Sequence, residues 1–456
     1  MFKRLIINDL KNWSERPKLK PLVLRGARQV GKTTIIEMFS SEFDQYVYLN
    51  LDNPEEKNIF RDDASFEDIL SAIFYLKGQE KQGGKTLIFI DEIQNSPRAI
   101  NLLRYFYEEA PELHVIAAGS LLETLIDRQI SFPVGRVEYL PVFPASFPEF
   151  LSALGEPLSL DILDQIPVPE YAHEKLMKLF REYTLVGGMP EVLETYADNR
   201  SVVALSRIYE SLILTYMDDV EKYARNETMS KVIRHIIKSS FSHAAVRITF
   251  AGFGNSFYKS REVSEAFDVL QKAMLVKLIY PVTQLKLPIK ENFKKSPKLQ
   301  LLDTGLVNYF SGMQKDLFVS SQIDEVYEGR IAEHIVGQEL RSISKSLLEN
   351  LNFWTREEKH ADAEIDFIRK FDGLVIPIEV KSKVTGRLRS LHQFMDKVNH
   401  GFAVRVYSGK LKIEKLKTMS GKSFHLLNLP FYLVHKIDLY LEKFILDPEI
   451  FRKSMK

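Results

Sequence analysis

The stretch GARQVGKT, Gly26 to Thr33, decides how the rest of the chain is read, because it fits the spacing GxxxxGK[ST] and stands between PLVL (Pro21–Leu24) and TIIEMF (Thr34–Phe39). An apolar strand, a glycine-bearing turn and a helix in that order predict a phosphate-binding loop. Gly26 and Gly31 allow the tight turns that aim successive backbone N–H groups at phosphate oxygens, Lys32 can reach the β and γ phosphates, and Thr33 can offer its hydroxyl to Mg²⁺. Gly26, Ala27, Arg28, Gln29, Val30, Gly31, Lys32, Thr33 and Thr34 are therefore the expected nucleotide-binding residues.

TLIFIDEIQ (Thr86–Gln94) supplies the complementary acids. A continuous apolar run of this length suits a strand buried on both faces, and it ends in Asp91 and Glu92. At a strand tip beside a phosphate loop, Asp91 can organise the Mg²⁺ shell and Glu92 can polarise a water against the γ phosphate. The intervening QYVYLNL (Gln45–Leu51) and the segment Phe66–Leu76 leave room for one more strand and helix. HVIAAGS (His114–Ser120) is expected as the next strand, and Ser120 could either hydrogen-bond the γ phosphate or cap a following helix. Arg136, after Gly135 in a Pro- and aromatic-rich stretch, could stabilise charge in this or a neighbouring subunit's site, or could be a plain salt-bridge partner.

Composition bounds the remainder. At 456 residues the chain exceeds one ordinary core, so several domains are expected. With 62 basic against 61 acidic residues the formal charge is +1, so no global field draws the protein to nucleic acid and any such binding must use local patches. There is no Cys, which excludes disulfides and thiolate metal sites and suits a reducing cytoplasm. The opening MFKRLIINDL has too short an apolar stretch for a signal peptide, and no run approaches the length of a membrane span. In FKRLIINDLKNWSE, Leu5, Ile6, Leu10 and Trp13 are expected to share the apolar face of a helix near the nucleotide.

Alternating strands and helices predict a parallel α/β ATPase core over residues 1–155. A helical lid follows over 156–213, broken by GGMP at Gly187–Pro190. Residues 214–310 read as a winged-helix-like unit, because REVSEAFDVLQKAMLVKLIYPVT (Arg261–Thr283) runs from helix into strand. Glu262, Glu265 and Asp268 on that helix would repel a phosphate backbone, while KENFKKSPK (Lys290–Lys298) forms either a polycationic patch or a solvated loop.

Residues 311–456 carry a second constellation. AEIDFIRK (Ala363–Lys370) places Asp366 in a short strand, and Asp372-Gly373 turns into LVIPIEVKSK with Glu379 and Lys381 two positions apart and hence on one face. A hairpin would bring Asp366 beside them, and Glu333 on the helix of YEGRIAEHIVGQEL (Tyr327–Leu340) could add a further ligand. Two or three carboxylates with a lysine follow the D…ExK logic of restriction-type nucleases, in which Mg²⁺ and the lysine act on a phosphodiester. The alternative is a degenerate site whose charges pair with one another.

RGARQVGKTT (Arg25–Thr34), FIDEIQ (Phe89–Gln94), AAGS (Ala117–Ser120), GRVEYLPVFPASFPEF (Gly135–Phe150), GGMPEVL (Gly187–Leu193), LLDTGL (Leu301–Leu306) and the C-terminal segments together resemble a group of prokaryotic AAA-type ATPases. That group pairs an N-terminal AAA core with a C-terminal segment catalogued as domain of unknown function 4143. The resemblance implies an ATP-binding AAA-type core and a C-terminal domain similar to the restriction-endonuclease fold, with the biological role left open; from the residues, ATP and Mg²⁺ are the expected cofactors, DNA or RNA a candidate partner, a homo-oligomer a candidate assembly, and no membrane association is expected. On the residue readings above, Lys32, Glu92 and Arg136 are the expected catalytic groups of the ATPase, and Asp366, Glu379 and Lys381 those of a nuclease. Thr33, Asp91, Glu333, Asp366 and Glu379 would be the metal ligands. The competing expectation is a signalling or scaffold ATPase whose C-terminal fold is inactive and binds a protein.

Overall fold

The computed structural model describes residues 1–81, 84–119, 133, 135–221, 224–312, 314, 329–357, 363–382 and 388–455. PLVL becomes β1 (Leu22–Arg25), which leads directly into the phosphate loop and the helix Lys32–Phe39. β2 (Gln45–Asn50), β3 (Thr86–Asp91), β4 (His114–Gly119) and β5 (Glu138–Pro141) complete a five-stranded sheet in the order β2-β3-β4-β1-β5. All four of its strand pairings are parallel.

Strand periodicity explains why the sheet is covered on both sides. Along β1, β3 and β4, Leu22, Leu24, Leu87, Phe89, Ile116 and Ala118 enter one core cluster with the helix after the loop. Val23, Ile88, Ile90, Val115 and Ala117 enter another with the helices Phe66–Lys77 and Pro97–Glu109. Alternate side chains thus feed opposite layers, as a doubly covered sheet requires. The N-terminal helix Ile6–Ser14 buries Ile7, Leu10 and Trp13 against the first layer. Leu5, expected inside, is 36% exposed: the helix begins after it, and the buried face runs through Ile7 instead.

Helices dominate from Phe147–Ala153 to Glu227–Ser240, and the helix Ser260–Lys272 leads into β6 (Val276–Ile279). Next come β7 (Pro281–Val282) and β8 (Lys298–Leu301), with β6 and β8 forming an antiparallel ribbon. Two acids of the helix Ser260–Lys272 are engaged within the protein: Glu262 accepts from the Lys259 N–H, and Glu265 pairs with Arg225 at 3.0 Å.

β9 (Asn352–Thr355), β10 (Glu364–Phe371), β11 (Leu374–Lys381), β12 (Phe402–Tyr407), β13 (Lys412–Lys417) and β14 (Ser423–Pro430) build a mixed sheet in the order β13-β14-β12-β11-β10-β9-β7. Its edge strand β7 is donated by the preceding unit, so the two segments expected as separate domains share a sheet. The β10–β11 hairpin turns at Asp372 (φ 45) and Gly373 (φ 72), the positive-φ pair a two-residue turn needs. One apolar cluster runs continuously from Ile7 to Phe451, so the first layer of the ATPase sheet and the C-terminal unit share a core. Among the described residues no helix is long and apolar enough to cross a membrane.

Candidate active site

The phosphate loop takes its shape from two tight constraints. A Cβ on Gly26 would lie 2.5 Å from the Val142 carbonyl oxygen, and Gly31 has φ 89, a conformation that L side chains rarely adopt. Lys32 is buried, and its ammonium donates to the carbonyls of Gly26 (3.0 Å) and Ala27 (2.9 Å). Burial pulls its pKa down to about 8 against the opposing pull of Glu92 and Asp91.

The acids stand two strands away, across β4. The Thr33 hydroxyl donates to Asp91 Oδ2 at 2.7 Å, which puts two hard oxygens side by side at the C-terminal ends of adjoining elements. That donor set suits a divalent cation of the Mg²⁺ kind. Glu92 adopts φ 51, strained for a non-glycine residue, and its side chain accepts from the Gln94 amide. Burial raises its pKa, only partly offset by Gln94. A raised carboxyl pKa is what a proton acceptor near neutrality needs. Ser120 lies outside the described residues.

Several partners of the loop had no sequence signal. Arg4 donates to the Val30 carbonyl (3.0 Å), the Phe143 carbonyl (2.8 Å) and Glu149 Oε1 (3.0 Å), tying the N-terminal helix to the loop. Burial works against the Glu149 charge, but Arg4 and the N–H groups of Ser146 and Leu5 hold its carboxyl below the usual range. Arg28 pairs with Asp219 at 2.9 Å, and the Tyr216 hydroxyl donates to the Arg28 carbonyl.

GGMP is more than a helix breaker. Pro190 packs where a Gly31 Cβ would be 3.4 Å away, the Gly188 carbonyl accepts from Ala145 N–H at 2.7 Å, and the Gly188 N–H donates to Asp303 Oδ2 at 2.6 Å. Asp303, in LLDTGL, caps the helix Thr304–Phe310 through Leu306 N–H. Burial pushes its pKa up to about 6 despite those donors. Gln338 reaches both Asp303 and the Tyr183 hydroxyl, and Tyr183 lies 2.7 Å from Glu339 Oε1, which also accepts from Phe147 N–H. Burial pushes the Glu339 pKa up to about 8, against the pull of the Tyr183 hydroxyl and the Phe147 N–H that donate to it. The phosphate loop thus packs against the GGMP turn through Pro190, and the GGMP turn, Asp303 and the helix Arg330–Ser342 are joined through buried polar contacts.

Arg136 sits elsewhere. β5 runs parallel to β1 with Glu138 beside Leu22, so Arg136 lies at the end of the sheet opposite the phosphate loop. It pairs with Glu108 at 2.7 Å on the surface. The expectation that Arg136 serves its own chain's site is corrected by strand polarity.

The C-terminal residues do converge. Lys381 meets Glu379 at 2.6 Å, and Asp366 Oδ2 accepts from Val380 N–H at 2.8 Å. The cluster also contains a residue that sequence placed in a solvated, basic loop. Lys298, on β8, is 4% exposed and lies 2.5 Å from Glu333, 2.5 Å from Glu364 and 3.7 Å from Asp366. Arg247 holds the other Glu364 oxygen at 2.5 Å. Burial opposes the Lys298 charge, but the three carboxylates outweigh it and hold the ammonium protonated. Burial raises the pKa of Glu333, Asp366 and Glu379.

Among the described residues no group of three or more His, Cys, Asp or Glu side chains is arranged to hold a metal ion. Glu333, expected as a further ligand beside Asp366 and Glu379, is instead paired with the Lys298 ammonium. Glu379 Oε2 is the one carboxylate oxygen of the described residues that is buried without a hydrogen-bond partner.

Residues 18–151 match the AAA domain family, residues 177–317 match a domain of unknown function (DUF8612), and residues 328–432 match a second one (DUF4143). No curated protein matches the chain. Among solved structures, a Walker-type ATPase of Pyrococcus abyssi aligns at 16% identity over 68% of this chain and 96% of its own, with a TM-score of 0.44. The Aeropyrum pernix ORC1 protein in complex with DNA aligns at 14% identity over 68% and 93%, with a TM-score of 0.30. A RuvB variant of Thermotoga maritima aligns at 17% identity over 63% and 91%, with a TM-score of 0.28.

Proposed function

We propose that this chain, an AAA-type ATPase by its domain at residues 18–151, binds and hydrolyses ATP at Lys32, Thr33, Asp91 and Glu92, and passes its nucleotide state to the C-terminal unit. The observation that carries this reading is the buried Lys32 ammonium, held by the loop carbonyls in the electrostatic field of Asp91 at the end of β3 and of Glu92 after it. Thr33 and Asp91 would hold Mg²⁺, whose charge would offset that of the β and γ phosphates. Loop N–H groups bind phosphate oxygens, Lys32 exchanges its carbonyl partners for the β and γ phosphates, and Glu92 takes up the proton of the attacking water. Pro190 against Gly31, followed by Gly188 and Asp303, gives a packed route by which a shift of the loop could reach the helix Arg330–Ser342.

For the C-terminal unit the internal ion cluster favours a binding role over cleavage. Its carboxylates are countered by Lys298, Lys381 and Arg247 from three separate strands and loops, which suits a rigid docking domain. The nuclease reading keeps one supporting observation, the unpartnered Glu379 Oε2 beside Lys381. A homo-oligomer would leave room for Arg136 to act on a neighbouring chain.

ATP turnover measured with and without DNA, RNA or a plasmid substrate, over a range of protein concentrations and with Mn²⁺ present, distinguishes these readings. Stimulation without cutting fits an ATPase regulated by nucleic acid. Nicking abolished by Glu379→Ala would reverse the preference for a binding role, and absence of any ATP turnover would remove the proposal altogether.

A further inference from the structure

Arg28 is the one guanidinium within GARQVGKT, and it is held from outside the ATPase sheet. The helix Ser206–Glu221 turns Tyr216 and Asp219, three positions apart and so on one face, towards the loop. Asp219 Oδ1 lies 2.9 Å from Arg28 Nη1, and the Tyr216 hydroxyl donates to the Arg28 carbonyl at 3.1 Å. The preceding Asp218 is exposed and pairs instead with Arg234 at 3.4 Å. Of two adjacent acids, one therefore faces solvent, while the other is buried against a loop shaped to receive anions.

An acid in that place works against phosphate binding, because like charges repel most strongly where little water screens them. Burial, Glu92 and Asp91 dominate at the Lys32 ammonium, but the charges of Arg28 and Asp219 act on it too, which sets the pair near the place of the β and γ phosphates. Glu92 and Asp91 have work to do there, as base and as Mg²⁺ ligand; Asp219 has none. The two partners also differ in freedom. Arg28 is 36% exposed, and its planar fork suits phosphate oxygens as well as it suits a carboxylate. Asp219, only 10% exposed and fixed on its helix, cannot follow the guanidinium when it turns.

We propose that Asp219 is an anionic brake on nucleotide binding: its carboxylate and the phosphates of ATP compete for the Arg28 guanidinium, so that filling the loop loosens the helix Ser206–Glu221 from it. The inference rests on the ATP-site reading above and adds a residue that opposes the ligand. The Tyr216 bond to the Arg28 carbonyl involves no charge and keeps the loop backbone in place while the side chain changes partner. Because coupling is reciprocal, whatever draws that helix away from the loop raises ATP affinity by the same factor by which ATP weakens the contact.

The test is equilibrium binding of the non-hydrolysable β,γ-imido analogue of ATP, with Mg²⁺, to the full chain as wild type, Asp219→Asn and Arg28→Met, with a thermal melt of each. Asp219→Asn removes a negative charge and releases Arg28, so it should bind about three- to tenfold tighter, whereas Arg28→Met leaves the acid facing the phosphates and should bind about tenfold weaker. An ordinary structural ion pair would shift both variants in the same direction, since each breaks the same contact. Should Arg28→Met melt far below the wild type, Asp219→Asn decides alone, because a lost structural bridge does not tighten binding. If the wild type binds the analogue and Asp219→Asn binds it no tighter, or if both variants shift with one sign, the inference is overturned and the ATP site stands. A wild type that does not bind the analogue removes both.

Discussion

Replacing Lys298 by Met tests whether a lysine stands in the cation position of the C-terminal cluster. The change keeps a similar apolar stem and deletes the ammonium that lies 2.5 Å from both Glu333 and Glu364 and 4.9 Å from the centre of the Phe353 ring. Lys298 and Glu333 are almost wholly shielded, at 4% and 13% side-chain exposure, so solvent screening does little to soften the loss. Removing one partner of a buried ion pair costs about 3–5 kcal/mol. At roughly 2–4 °C per kcal/mol, the unfolding transition of the C-terminal sheet should fall by about 10 °C. The loss should depend on pH with a definite sign. Glu333, Asp366 and Glu379 already have raised pKa values, and without Lys298 these rise further, so the variant is penalised most where the carboxylates must ionise, above neutrality. Lowering the pH from 8 towards 5 should therefore bring variant and wild type together. The vacated position should also accept a divalent cation: Mn²⁺ at a hundred times its dissociation constant would return about 2.7 kcal/mol. Thermal denaturation at pH 5 and 8, with and without Mn²⁺, gives all four numbers. If Lys298→Met melts with the wild type at pH 8, or if the wild type is itself strongly stabilised by Mn²⁺ through Asp366 and Glu379, the reasoning is refuted.

Three further outcomes follow from the geometry. With Lys32 at about pKa 8 in the free protein, its charge is fully present below that value, so ATP affinity should be flat near pH 7 and fall by up to about tenfold per unit above pH 8, as read by nucleotide titration. Gly188→Ala would set a methyl 2.1 Å from the Ala145 carbonyl oxygen, a backbone atom that cannot swing aside; denaturant unfolding should show a loss at or above the ordinary overpacking cost of about 1–3 kcal/mol, accompanied by weaker ATP binding through Pro190. Arg136→Ala should leave turnover unchanged in a monomer, since its partner is the exposed Glu108 at the far end of the sheet, whereas a loss of about a thousandfold would assign it to a neighbour's site.

What could be read from the sequence was whatever rests on local chemistry. GxxxxGK[ST] between a strand and a helix specifies its own backbone, and the β10–β11 hairpin follows from Asp372-Gly373 and from alternation through Asp366, Glu379 and Lys381. Contacts between distant segments left no such trace. Arg4 and Asp219 look like ordinary helix charges until folding brings them to Val30 and Arg28, 26 and 191 residues away. Lys298 is the clearest case: in a run of lysines it reads as solvated, and only the pairing of β6 with β8 turns it inward to meet Glu333 and Glu364. The paired glycines of GGMP and the aspartate of LLDTGL did carry a signal. A glycine tolerates no Cβ at 2.1 or 2.2 Å, and that close approach is what joins Gly187 and Gly188 to Asp303 and Ala145. The alternatives for Arg136 could not be separated from sequence because strand polarity, which decides the end of the sheet a residue occupies, depends on pairing with β1.

The central claim, that Lys32 holds ATP and Glu92 drives its hydrolysis, is tested most directly by single-turnover hydrolysis with paired equilibrium binding of labelled ATP to the wild type, Lys32→Ala and Glu92→Gln. Lys32→Ala should bind ATP weakly. Glu92→Gln preserves shape but cannot accept a proton, so it should bind ATP as the wild type does and hydrolyse it slower by about 10²–10⁴-fold, the usual contribution of a positioned base. Near wild-type turnover in both variants would contradict the account.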